Sequence, residues 1–245
     1  DMKTTASLRA AHRGLTRRQL LSRASAASAT LVVGAGFIAA ADAEFEKEGV
    51  RTLFWHTWPV QNIFGAGEPV RSPADFAGRK IRSTDGNQAA LLAALGSSSI
   101  SLTTPEVPVA VERGVAEGYM TAAFNVLGAQ WQDFTDWGYL CDVNIGGPEY
   151  LLMNVAAYEA LPEEGRTALD GVAAGFGEKF TDLNLGDEAD SLKKLEEHGV
   201  TLVTPTEAEM DEMTALMVPY WESWAADNGE TAVQLLADIR AKLGK

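Results

Sequence analysis

Arg82 closes the run Lys80-Ile81-Arg82-Ser83, which reads as a short strand. In open α/β sheets, ligands bind beyond the carboxyl ends of strands, so an arginine at such an end stands where a crevice forms. Its guanidinium is a planar, permanently charged fork that can grip a carboxylate through two parallel hydrogen bonds. The competing reading is a surface arginine paired with Asp85, and residue type alone favours that one, because most arginines are solvated. A second group is Trp55, His56 and Trp58, whose flat amphipathic rings suit the wall of a pocket. Trp55 also reads as core on a strand, and His56 as a hydrogen-bonded structural histidine. Asn144 and Tyr150 flank the turn Gly146-Gly147-Pro148 and bring an amide and a phenol within reach of a ligand. Thr104, just ahead of Pro105, either faces the same crevice or caps the helix that follows, the cap being the commoner use.

The material for catalysis is scarce. Cys141 is the single cysteine, and the histidines are His12, His56 and His198. That excludes an internal disulfide and a multi-cysteine metal site, and leaves little for zinc or a histidine relay. Glu207, Glu209, Asp211 and Glu212 occupy the first turns of an expected helix, as do Glu163 and Glu164 at another, where acids are favoured by the dipole and solvated. Neither a glycine-rich phosphate loop nor a nucleophile elbow occurs. The expectation is a binding module with no catalytic residue, metal or cofactor. The alternative is an exported enzyme acting on a small organic acid.

Charge is unevenly spread. Residues 1–43 carry six basic residues against Asp1 and Asp42, leaving 14 basic and 32 acidic residues and a formal net charge of −18 beyond them. Such a body repels nucleic acid and anionic membranes, so an anion must be captured by a local cation against the global field. Thr16-Arg17-Arg18-Gln19-Leu20-Leu21 is a twin-arginine pattern ahead of an apolar, alanine-rich run from Ala24 to Ala41. Ala41-Asp42-Ala43 supplies the small residues of a signal-peptidase site. Residues 1–43 are therefore expected to be a removable leader and 44–245 an exported, periplasmic domain. A permanent anchor is the competing reading, disfavoured because the run is short and weakly hydrophobic. With no cysteine directly following the run, no lipid anchor is expected.

The elements that position these residues alternate. Val50–Trp55 reads as a buried strand, and Ser72-Pro73-Ala74-Asp75 as a helix start closed by Gly78. After the strand at 80–83 come a helix from Asn87 to Leu95, a strand from Ser99 to Leu102, a helix from Thr104-Pro105 to Gly114, and a strand from Tyr119 to Ala122. This alternation implies α/β architecture with helices on a largely parallel sheet. Two further strands near Leu140 and Met153 precede a long charged helix from Pro162 to Glu197, weakened at Gly175, Gly177 and Gly186. Val200–Val203 is another strand. Thr204-Pro205-Thr206-Glu207 reads as a capping box opening a helix that Pro219 should kink, and 230–243 as a final amphipathic helix. Trp131, Trp137, Met210, Met213 and Met217 read as core.

In this order and spacing the chain resembles the solute-binding proteins of tripartite ATP-independent periplasmic (TRAP) transporters, of the dicarboxylate-receptor type. The residues carrying the likeness are the run from Ser72 to Arg82, Leu95-Gly96, Pro105-Glu106-Val107, Arg113-Gly114-Val115-Ala116-Glu117-Gly118, Ala160-Leu161-Pro162 and Glu196-Glu197-His198-Gly199-Val200. The resemblance implies a periplasmic-binding-protein-like fold of two α/β lobes joined by crossing strands and a long helix, closing over a small organic acid for delivery to TRAP membrane permease subunits, with ion gradients driving import. It implies that Arg82 is the carboxylate-binding arginine, that Thr121 is a polar ligand contact, and that Asn62 occupies a second contact position where some relatives carry arginine. The sequence departs from the family in one respect. A segment of about a hundred residues, the size of a small domain, should separate the leader from the strand at Val50. Here Ala43 is followed almost at once by that strand, so most of the first lobe is expected to be absent. A shortened chain that no longer binds solute is the corresponding alternative.

Overall fold

The computed structural model describes residues 35–144 and 147–243. They divide into two compact units: the described residues through 58 with 147–185, and 59–144 with 186–243.

In the first unit, helix α1 (Ala35–Lys47) leads into strand β1 (Val50–Thr57). β1 pairs antiparallel with β7 (Pro148–Asn154), joining Trp55 to Tyr150 and His56 to Glu149. β1 was expected to be buried; most of it is half-buried, and only His56 and Thr57 are enclosed. The reason is that a two-stranded sheet covers little of its own surface. Helix α5 (Val155–Glu159) and the beginning of α6 (Glu163–Glu197) complete the unit. α6 runs 35 residues without a break, despite its glycines. At Gly177 the missing side chain is required, since a Cβ there would lie 2.2 Å from the Trp55 carbonyl oxygen. Thr181, one turn on, ties the same contact by donating to the Gly177 carbonyl (2.9 Å) and accepting from the Thr57 amide (3.0 Å).

The second unit is built on a six-stranded sheet. Its strands are β2 (Gln61–Gly65), β3 (Lys80–Ser83), β4 (Ser98–Ser101), β5 (Gly118–Thr121), β6 (Trp137–Asn144) and β8 (Thr201–Val203), in the order β4-β3-β5-β2-β6-β8. β3 runs parallel to β4 and β5, and β6 parallel to β8. β2 is antiparallel to both of its neighbours, so the sheet is mixed rather than largely parallel. β2 enters from a chain segment outside the β-α-β run, which frees it from the crossover rule that makes β3, β4 and β5 parallel.

Side-chain alternation divides the sheet between two cores. Ile63, Ile81, Met120, Trp137 and Tyr139 pack with helix α2 (Gly86–Ala94) and with Met213 and Met217 of α7 (Glu207–Asp227). Phe64 and Tyr119 face the other way, onto helix α3 (Val107–Glu112), Trp131 and Leu195. Trp131 and Trp137 are thus core residues, as expected.

Local starts follow capping chemistry. Ser72 and Asp75 form a capping box, though the turn they open is a short 3-10 helix, Pro73–Phe76. Asp85 caps α2 by accepting from the Asn87 and Gln88 amides. The box at α7 is Thr206 with Glu209, not the expected Thr204-to-Glu207 stretch, because the helix begins at Glu207, which makes Thr206 the cap and Glu209 the third helical residue. The helix continues through Pro219. Helix α8 (Glu230–Leu243) ends the described chain.

Candidate functional site

Arg82 is 5% exposed at the centre of the β4-β3-β5 ladder. Its Nε donates to the Leu102 carbonyl at 3.0 Å, one Nη donates to the Met120 carbonyl at 3.3 Å, and the other lies 3.5 Å from the Thr104 hydroxyl. No Asp or Glu among the described residues pairs with it. Asp85, the partner proposed by the surface reading, is committed to the N-terminus of α2. Burial lowers the arginine's pKa from its ordinary value, and desolvation alone does so. The group nevertheless stays cationic. One N–H on each terminal nitrogen remains for another acceptor. A buried cation held by carbonyls and left without a counter-charge is costly to the protein alone, and an arriving carboxylate would supply what is missing.

Four other expected residues lie in the same unit. Asn62 and Thr121 face each other in register across β2 and β5 and are buried. Asn62 Oδ1 accepts from the Asp142 amide at 3.0 Å, in a bulged part of β6 where Asp142 takes φ 52°. That bond uses the carbonyl oxygen of Asn62 and not its Nδ2. The Thr121 hydroxyl accepts from Asn125 Nδ2 at 3.2 Å. Thr104 is exposed and is not the helix cap; Thr103 and Glu106 make the box, which leaves the Thr104 hydroxyl beside Arg82. Asn144 ends β6 opposite Gln61.

The remaining candidates lie in the first unit. His56 is enclosed and engaged on both ring nitrogens: Nε2 is 3.2 Å from Glu149, while Nδ1 is 3.3 Å from Asn184 Nδ2 and 3.4 Å from the Thr57 carbonyl. Its ring packs edge-on against Phe180, within a cluster that includes Phe54 and Phe176. Trp58 is half-buried and its backbone amide donates to the Gly147 carbonyl. Tyr150 packs edge-on against Phe45, its hydroxyl is buried without a hydrogen-bond partner among the described residues, and burial together with Asp42 raises its pKa.

One side chain of this region was not anticipated from the sequence. Glu188, on α6, is 7% exposed, and its two carboxylate oxygens accept the amides of Ala123 (2.8 Å) and Phe124 (3.0 Å) at the start of helix α4 (Ala123–Gly128). Desolvation pushes its pKa up to about 7, helped by Asp142 and opposed by the two amides. The available signal was spacing: Thr181, Glu188, Ser191 and Leu195 share one buried face of a helix whose other acids are exposed except for the half-buried Asp170. The Leu102 and Met120 carbonyls could not be anticipated, because backbone acceptors carry no residue code. Among the described residues no group of three or more His, Cys, Asp or Glu is placed to hold a metal, and no helix is long and apolar enough to cross a membrane. The Cys141 thiol is buried and its pKa is raised far above the ordinary range, so it is not a nucleophile at neutral pH.

The model of bacterial extracellular solute-binding protein family 7 matches residues 20–228. The chain belongs to that family. A solute-binding protein of Albidiferax ferrireducens is 22% identical over 197 residues, covering 78% of this chain, and the chain spans 57% of that relative's length. The fold matches solved TRAP solute-binding proteins. One from Roseobacter denitrificans, with bound β-D-glucuronate, aligns at TM-score 0.74 and 22% identity, covering 84% of this chain and 68% of that one. A pyroglutamic-acid-binding receptor of Bordetella pertussis aligns at TM-score 0.76 and 21% identity, covering 86% and 70%. One from Desulfovibrio salexigens, with bound orotic acid, aligns at TM-score 0.75 and 20% identity, covering 87% and 68%. The periplasmic-binding-protein-like architecture of this family 7 chain, with its mixed sheet and long helix, is therefore that of TRAP receptors.

Proposed function

We propose that this chain is an extracytoplasmic receptor that binds a small organic anion at Arg82 and delivers it to TRAP membrane permease subunits for ion-gradient-driven import. The observation that carries the reading is the buried guanidinium with no carboxylate partner among the described residues and two N–H groups left over. The Thr104 hydroxyl lies beside it, and Thr121 and Asn62, in register across β5 and β2, are proposed to add the hydroxyl and amide groups that sort ligands by their oxygens. The solved relatives hold glucuronate, pyroglutamic acid and orotic acid, each a compact carboxylic acid with further polar groups, and a ligand of that class suits one cation with neutral polar neighbours. The site offers material for recognition rather than turnover. Asn144, in the same unit as Arg82, is proposed as a further contact. Residues 1–43 are proposed as a twin-arginine leader that directs residues 44–245 to the periplasm; Arg17 and Arg18 lie outside the described residues, and Ala43 falls within α1.

Titration calorimetry against a panel of sugar acids, heterocyclic acids and dicarboxylates tests the reading. Arg82→Ala should weaken the best binder by about 2–5 kcal/mol, the scale for removing one partner of a buried charge pair. Unchanged affinity in that variant would remove Arg82 from the site.

A further inference from the structure

Glu188 stands apart from the other acids of α6. Asp187 and Asp190 beside it are exposed, whereas Glu188 is enclosed with both oxygens spent on the first two amides of α4. Those amides follow Thr121 by two and three residues. The same helix supplies Asn125, whose side chain donates to the Thr121 hydroxyl. Glu188 thus fixes the start of a six-residue helix that is too short to hold its own geometry, and that helix aims a ligand-facing hydroxyl. Asp142 on β6 is the charged group that faces it, and α4 presents backbone amides only. Asp142 is itself tied to the site through the Asn62 carboxamide.

We propose that Glu188 is a positioning residue of the anion site: as a carboxylate it clamps the N-terminus of α4, and through Asn125 it holds Thr121 in the orientation that receives the ligand. The inference rests on the anion-receptor reading of Arg82 and deepens it. Two oxygens accepting two amides is the geometry of the ionised group, since a protonated carboxyl carries a donor on one oxygen and must release or weaken one amide. Proton uptake also removes a negative charge, which by itself would favour an anion. That charge is already offset by the two amides and the positive end of the helix, so the loss of geometry outweighs it. Affinity for an acid should therefore fall as the medium is acidified through about 7, where Glu188 takes up its proton.

The test is calorimetric titration of the whole chain with D-glucuronate, pyroglutamate and orotate, acids that stay ionised from about pH 5.5 to about pH 8.5. Wild type should lose about tenfold in affinity across this range on acidification, the size of one charge-assisted hydrogen bond. Glu188→Gln should show a flat profile at the weaker value, and Glu188→Asp should restore the pH dependence in part. Amide exchange at Ala123 and Phe124, followed without ligand, should quicken in wild type at the acid end and in Glu188→Gln throughout. A wild type that binds with no pH dependence, or a Glu188→Gln that binds like wild type with the same profile, would overturn the positioning role while leaving Arg82 in place. Failure of wild type to bind any of the three acids, or any member of the wider panel of sugar acids, heterocyclic acids and dicarboxylates, would overturn the anion-receptor reading and this inference with it.

Discussion

The carboxyl of Glu188 should make this protein less stable at neutral pH than in mild acid, and the size of that effect follows from its surroundings. The ordinary glutamate value is 4.5, and burial pushes this one up to about 7. Below the ordinary value the group is protonated whether the chain is folded or not, and it contributes nothing. Between the two values the native state holds a proton that the unfolded state has released, so stability falls as pH rises, and above about 7 the full cost is present. Each pH unit in that window is worth about 1.4 kcal/mol, which gives about 3 kcal/mol in all. Glu188→Gln cannot ionise and escapes the cost. Its carboxamide NH2 must face the Ala123 or the Phe124 amide and adds a penalty of its own, but that penalty does not vary with pH. Urea unfolding of both proteins at about pH 5 and about pH 8, monitored by tryptophan fluorescence, isolates the linkage as the change in their difference. The difference should move in favour of the glutamine variant by about 3 kcal/mol as pH rises. Parallel stability curves would show that the carboxylate is not desolvated as the structure places it, and the argument from its burial would fail.

Two further outcomes check the framework around the site. Gly177→Ala should destabilise the chain by about 1–3 kcal/mol or more in thermal unfolding, because the new methyl would fall 2.2 Å from the Trp55 carbonyl, which as backbone cannot step aside. Asp85→Ala should cost about 1 kcal/mol by releasing the Asn87 and Gln88 amides at the start of α2, with anion affinity unaffected, since Asp85 does not pair with Arg82.

Much of this protein was legible in its residues one by one. Local chemistry places many of its elements: Ser72 with Asp75 opens a turn, Gly96 and Gly114 adopt positive φ after α2 and α3, and β3 and β5 stand where 80–83 and 119–122 read as strands. These features depend on neighbours a few residues apart, so the order of amino acids contains them. Arg82 at a strand end was legible as a candidate, and the family pattern from Ser72 to Arg82 reinforced it.

What the residue order left open was every contact that depends on distant backbone. Whether Arg82 was solvated or enclosed turned on the Leu102 and Met120 carbonyls, and whether Asp85 could reach it turned on the cap at α2. The antiparallel course of β2 depended on its place between β5 and β6. Gly177, read as a weak point in a helix, is where α6 meets the β1 backbone. Glu188, one acid in a strongly acidic helix, gained its role when the fold brought the start of α4 against it, 64 and 65 residues earlier in the chain. A carboxylate's burden and use are set by what surrounds it, and in this chain those surroundings are assembled only by the tertiary fold.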